Sequence, residues 1–129
     1  LGQWSWEAGD TVINTGGNYG IKSQSSSANK PGGRDAATSW TDAIGNLWLF
    51  GGYGYDGANS YGRLNDLWKY DIMSSQWSWQ NGDTLINKEG NYGSKGVSSV
   101  SSKPGSRYSS ISWRDLSGNL WLWGGYGYD

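Results

Sequence analysis

The chain has no cysteine and no histidine, and only two prolines, one phenylalanine and one methionine among its 129 residues. Without Cys there is no disulfide and no thiol chemistry, which leaves the redox compartment open. Without His or Cys there is also no imidazole base, no thiol nucleophile and no soft metal-ligand set, so an enzyme is not expected and no cofactor is called for. Apolar runs stop at four residues, as in Leu47-Trp48-Leu49-Phe50. A membrane helix needs about 20, and no signal-peptide pattern opens the chain, so membrane insertion is not expected. Ten Lys and Arg against eleven Asp and Glu are scattered without a basic run, which disfavours nucleic acid as a partner.

What the chain does have is glycine, tryptophan and tyrosine, at 22, 10 and 9 residues. They are organised by a repeat. Gly45-Asn46-Leu47-Trp48-Leu49-Phe50-Gly51-Gly52-Tyr53-Gly54-Tyr55-Asp56 returns 73 residues later, ending at Asp129, with eleven of twelve positions identical. Residues 1–56 align with 74–129 without a gap, 34 of the 56 positions being identical. Recurrence at fixed spacing means copies of one supersecondary unit, here repeat 1 over 3–75 and repeat 2 over 76–129.

Within the unit, Gln3-Trp4-Ser5-Trp6 and Gln76-Trp77-Ser78-Trp79 alternate as a strand, D, with both Trp on one face. A polar segment follows, Ala8 to Gly33 and Asn81 to Ser106. It keeps Gly-Asp-Thr, Ile-Asn, Gly-Asn-Tyr-Gly and Lys-Pro-Gly in register between copies, which marks an ordered loop rather than a linker. Arg34 to Thr41 and Arg107 to Arg114 read as strand A, and Asp42 to Asn46 and Asp115 to Asn119 as tight turns. Leu47 to Phe50 and Leu120 to Trp123 are strand B, ended by a diglycine. Tyr53 to Asn65 is a second long loop, Asp66 to Asp71 is strand C, and Ile72 to Ser75 turns into the next D. Four antiparallel strands per unit with no helical period give an all-β fold of β-propeller blades, the chain covering fewer than two.

Arg34 opens the inner strand, Gly51-Gly52 follows the second, Asn65-Asp66-Leu67-Trp68-Lys69-Tyr70-Asp71 forms the third, and Trp77 lies on the fourth, six residues beyond Tyr70. This pattern resembles the kelch repeat, and its long register is similar to that of bacterial kelch proteins. The resemblance implies a closed propeller whose N-terminal D strand completes the last blade, in a protein exported to the cell surface or beyond. A ring of 4 to 8 such units takes roughly 300 to 600 residues. The chain is therefore expected to be part of a longer polypeptide or to meet further blades from neighbouring chains. Galactose oxidase carries a kelch-type propeller, but its copper ligands, His and a Cys-modified Tyr, have no counterpart in this sequence.

Antiparallel alternation puts the D-to-A and B-to-C connections on one side of the sheet and the tight turns on the other. Ligand candidates on the long-loop side are Tyr19, Tyr53, Tyr55, Asp56, Tyr61 and Arg63, with Tyr92, Tyr126, Tyr128 and Asp129 in the second copy and Arg34 and Arg107 at the head of the inner strands. Tyrosines stack on sugar C–H faces while Asp, Asn and Arg fix hydroxyls, so the expected function is a non-enzymatic module recognising glycan or protein. The alternative for these residues is that the tyrosines pin the loops and each Arg bonds loop carbonyls. The alternative for the chain is a structural repeat of a surface layer or filament. Trp4 with Trp6, and Trp48 with Trp121, are expected to pack between blades. Asp10, Asn14 and Asn18, or Asp56, Asn59 and Asp66, can be written as a calcium set, but neither has the acidic density of a calcium loop.

Overall fold

A computed structural model describes residues 2–129, and among them the protein is all-β, with no helix. Nine strands form: β1 Arg34–Asp35, β2 Thr38–Thr41, β3 Leu47–Tyr55, β4 Tyr61–Asp71, β5 Gln76–Asn81, β6 Arg107–Tyr108, β7 Ile111–Arg114, β8 Leu120–Trp123 and β9 Tyr126–Gly127. β1 and β2 both pair with β3, β3 with β4 and β4 with β5, all antiparallel, so A, B and C of the first copy and the D strand that follows them form one sheet in meander order. β6 pairs with β9 and β7 with β8 as the A and B strands of the second copy.

Three strand boundaries differ from those read in the sequence. The diglycine does not end strand B. Gly51 and Gly52 sit inside the nine-residue β3, at φ 60° and 100°, and Asn65 and Asp66 together face the single Gly51. This is a bulge, which bends a strand without terminating it. A Cβ on Gly51 would lie 2.6 Å from the Arg107 carbonyl oxygen of the second copy, so glycine also lets the two inner strands approach. Strand A breaks at the same level, where Ala36 takes φ 48° between β1 and β2. Because β3 runs on to Tyr55 and β4 starts at Tyr61, the supposed second long loop shrinks to the turn 56–60.

The third difference is at the start of the chain. Gln3–Trp6 repeats the residues of β5 but forms no strand, and Trp4 and Trp6 are exposed instead of packed between sheets. A strand is held by its ladder, and no C strand lies beside this segment among the described residues.

The core is aromatic where the first sheet meets its loop and the second copy. Tyr19, Trp40, Phe50, Leu64 and Trp68 are buried, with the Tyr19 ring 4.8 Å from Trp68 and 5.7 Å from Trp79. The second copy packs its A strand on the first sheet. Trp40 Nε1 donates to the Trp121 carbonyl at 3.1 Å, Ser112 Oγ to the Ser39 carbonyl at 3.3 Å, and the Ser109 amide to the Ala36 carbonyl at 2.9 Å. A cavity of about 170 Å³ remains in this seam, lined mainly by Trp40, Phe50, Leu67, Pro104, Leu120 and Leu122.

The polar segments are ordered, and by the same device in each copy. Lys30 bonds Asp10 and Lys103 bonds Asp83, while Asn18 pairs with Lys30 and Asn91 with Lys103 through the backbone. The first segment then crosses to the outer edge of β5, where the Ser23 amide donates to the Trp79 carbonyl at 2.7 Å and Asn29 Nδ2 to the Trp77 carbonyl at 3.1 Å. An edge that would otherwise present unpaired carbonyls is covered. The second segment is clasped to β4 by Asn65, whose Nδ2 donates to Asp83 at 2.9 Å and whose Oδ1 accepts the Asp83 amide at 3.0 Å.

Candidate functional site

The registers Arg34 with Gly54 and Tyr55 with Tyr61 put the start of β1, the end of β3 and the start of β4 at one end of the sheet. The turns 42–46 and 72–75 lie at the other. The candidates of the long-loop side divide into two groups there, one internal and one open.

Arg34 is internal. Its guanidinium makes a two-pronged ion pair with Asp66, NH1 to Oδ1 at 2.6 Å and NH2 to Oδ2 at 2.8 Å, with side-chain exposures of 5% and 0%. Nε and NH1 also donate to the Gly32 and Gly51 carbonyls at 3.0 and 2.9 Å. Asp66 Oδ2 accepts further bonds from Tyr19 Oη at 2.6 Å and Trp68 Nε1 at 2.7 Å. Burial, then the Asp66 charge, hold the Tyr19 hydroxyl well above its ordinary pKa. Burial works against the Arg34 charge, but Asp66 outweighs it and the guanidinium is more firmly protonated than usual. One carboxylate thus joins the long loop, the inner strand, the bulge and β4, and Arg34 and Tyr19 act as anchors.

Asp56 is internal too. Oδ1 accepts the amides of Ala58 and Ser60 at 2.9 and 2.8 Å, and Oδ2 that of Ile86 at 3.0 Å, which closes the 56–60 turn and ties it to the second loop. Asp56 and Asp66 therefore spend their oxygens on different partners, Asp10 is paired with Lys30, and among the described residues no three acidic, His or Cys side chains form a metal-binding group. Arg107 repeats the role of Arg34 with other acceptors: Gly105 and Gly124 carbonyls at 3.0 Å each, Tyr92 Oη at 2.9 Å and the Tyr128 carbonyl at 3.1 Å.

The open group is aromatic. Tyr53, Tyr55 and Tyr61 stand on one face of β3 and β4, because residues two apart and residues directly opposed share a face. The Tyr61 ring lies 4.9 Å from Tyr53 and 4.8 Å from Tyr55, and Tyr53 lies 5.5 Å from Tyr108 of the second copy. With Ile13, Asn14, Gly33, Arg34 and Asp35 the three rings line a cleft of about 280 Å³. Desolvation by its neighbours, then the charge of Asp35, raise the Tyr61 hydroxyl above its ordinary pKa, so it remains a donor at neutral pH. Beyond Tyr53 on the same row stands Arg63, its guanidinium carbon 4.7, 5.0 and 6.0 Å from the rings of Tyr126, Tyr128 and Tyr108. Asp129 is exposed and 3.6 Å from Arg107.

The structure brings together Tyr53, Tyr55 and Tyr61, and Arg63 with Tyr126 and Tyr128. Arg34, Asp56 and Arg107 spend their polar atoms as braces, Arg34 bordering the cleft and Arg107 bonded to the Tyr128 carbonyl. Sequence reasoning missed Asp35 and Tyr108, which occupy equivalent positions in the two copies, and Asn14 of the long loop as a lining residue. The one signal for the first pair was their place directly after the retained Arg34 and Arg107, where the copies differ as Asp and Tyr. Comparison with family models, with curated proteins and with solved structures gives no match for this chain, so the site rests on its geometry.

Proposed function

We propose that the chain is a non-enzymatic recognition module of kelch-propeller type, exported to the bacterial cell surface or beyond, which binds glycan through the tyrosine cleft. The observation that carries this is the set Tyr53, Tyr55 and Tyr61: three rings on one strand face, edge-to-face or tilted at 4.8–4.9 Å, open on one side and flanked by Asp35 and Asn14. Rings seated on strands lose little entropy when a sugar stacks on them, and the adjacent carboxylate and amide fix hydroxyl positions. Support for the propeller reading is the A-B-C-D meander with its bulged diglycine and its Arg34–Asp66 brace. Isothermal titration with neutral and acidic oligosaccharides, with shift mapping by NMR, tests the function. Binding that perturbs residues 13–14, 33–35 and 53–63 supports it, and binding that maps to the opposite turns overturns the site.

A second reading, a structural repeat that assembles, is favoured by one observation. Ile111, Trp113, Trp121 and Trp123 of the second copy are exposed, with Trp113 stacked on Trp121 at 6.1 Å. The matching Thr38, Trp40 and Phe50 of the first copy are buried under the second. A further repeat is the occupant whose shape fits, by continuity with that internal seam. Electron microscopy separates the readings: isolated discs support the module, regular polymers the assembly.

A further inference from the structure

Arg63 is half-buried and is held by ring contacts to the tyrosines of the second copy. Arg34 and Arg107 spend their donors on carbonyls and on Asp66 or Tyr92. Arg63, among the described residues, makes no side-chain hydrogen bond or ion pair, and its Nε is buried without a partner. Its backbone is fixed on both sides by Asn87, whose Oδ1 accepts the Arg63 amide at 3.0 Å and whose amide donates to the Arg63 carbonyl at 2.8 Å. Tyr126 and Tyr128 hold the guanidinium plane from 4.7 and 5.0 Å. Ring contacts of this kind orient a cation but leave its charge and its in-plane donors unsatisfied.

The same row sets the direction of any ligand. Asp35 is opposite Tyr53, and Tyr53 is opposite Arg63, so a negative group, a ring and a positive group follow one another across three strands. Tyr61 is on the same face two residues before Arg63. Neighbouring positions in such a row are about 4.5–5.5 Å apart. A sugar ring stacked on Tyr61 and edged by Tyr53, whose plane is turned 83° from it, therefore has Asp35 on one side, suited to hydroxyls, and Arg63 on the other, suited to a carboxylate taken by two parallel N–H bonds.

We propose that Arg63, next to the tyrosine cleft on the same row, is its anion anchor and that the ligand is a glycan containing uronic acid, its carboxylate paired with Arg63 and its ring on Tyr61 beside Tyr53. This inference rests on the glycan-binding reading above and deepens it. The whole chain is titrated with oligogalacturonate, oligomannuronate and a glucuronate-containing oligosaccharide, each beside its carboxyl-reduced neutral counterpart, at low and at high salt. A charge-assisted bond of this type corresponds to about tenfold or more in affinity. The acidic member of at least one pair is expected to bind tighter than its neutral counterpart by that factor, with the advantage shrinking in salt. R63Q is expected to remove the preference while keeping neutral binding, with a melting temperature lowered by the loss of the Tyr126 and Tyr128 ring contacts but a native circular-dichroism spectrum, and R63K to keep part of the preference. Equal binding of acidic and neutral members, or a preference that survives R63Q, overturns the anchor while the glycan reading stands. No binding of either member in any pair overturns both.

Discussion

Replacing Asp66 with Asn removes one charge and almost no volume, which makes it the sharpest probe of what holds the long-loop side in place. The side chain is fully buried and takes four bonds of 2.6–2.8 Å, two from Arg34, one from Tyr19 and one from Trp68. Asn retains one acceptor oxygen and turns the other position into a donor, facing groups that are all donors. The Arg34 charge is then buried without a counter-ion. Losing one partner of such a pair costs about 3–5 kcal/mol. Against a total stability of roughly 6–19 kcal/mol for a domain of this length, that is a large fraction. Urea unfolding followed by Trp fluorescence and far-UV circular dichroism should show a lower midpoint at unchanged slope. The pair also predicts its own coupling. Arg34→Met with Asp66→Leu and Tyr19→Phe removes the charges and most of the orphaned donors together, leaving Trp68 Nε1 and the Gly51 and Gly32 carbonyls, so it should cost less than Asp66→Asn alone. A loss below about 1 kcal/mol in Asp66→Asn, or single-variant effects that simply add, would refute the hub.

Four further outcomes are expected. Tyr19→Phe removes one bond to a buried charge and should cost about 1.5–3 kcal/mol by the same unfolding assay. Gly51→Ala must hold φ 60° and place a Cβ 2.6 Å from the Arg107 carbonyl, so it should cost about 2–5 kcal/mol, whereas the sequence-matched Gly124→Ala, with open space around it, should cost only the backbone part. The two turn carboxylates are held at pKa about 2. For Asp42 desolvation opposes the shift and bonds from Trp48 and Asn46 outweigh it, and for Asp115 bonds from Trp121 and Asn119 dominate. A folded-state pKa below the ordinary value means their contribution is present above about pH 4 and lost as pH falls through 2, so melting temperature should drop across that window in wild type and less in the Asp42→Asn, Asp115→Asn double variant. Tyr61→Ala loses its ring contacts with Tyr53 and Tyr55 and should cost about 1–3 kcal/mol in urea unfolding while keeping the native circular-dichroism spectrum and removing glycan binding.

The sequence carried the fold through its repeat. Alternation in Gln76–Trp79, the turn chemistry of Asp42–Asn46, the recurrence of Arg34 and Gly51-Gly52 in the second copy and the single run from Asn65 to Asp71 were enough to order the four strands and to say which connections share a side. What could not be read was how the bulge redistributes them. A diglycine is compatible with a strand end or with a bulge, and only the pairing of Asn65 and Asp66 against Gly51 decides between the two. That choice lengthened β3 and β4, shrank the second loop to a turn and moved Tyr53, Tyr55 and Tyr61 from a loop onto a rigid face. Arg34 and Asp66 are 32 residues apart, and nothing local links them, so the brace was invisible and Arg34 and Asp56 looked as available as Arg63. Strand D of the first copy failed for a related reason: Gln3–Trp6 has the right pattern, but a pattern is realised only beside a partner.

The central claim is that the long-loop side binds glycan through the tyrosine cleft, and a glycan array probed in parallel with the wild-type chain and with Tyr61→Ala tests it most directly. The account predicts retention on a subset of carbohydrate spots by wild type and loss of that retention in a variant whose circular-dichroism spectrum shows it folded under the array conditions. No retention on any spot, or retention that Tyr61→Ala leaves unchanged, contradicts it.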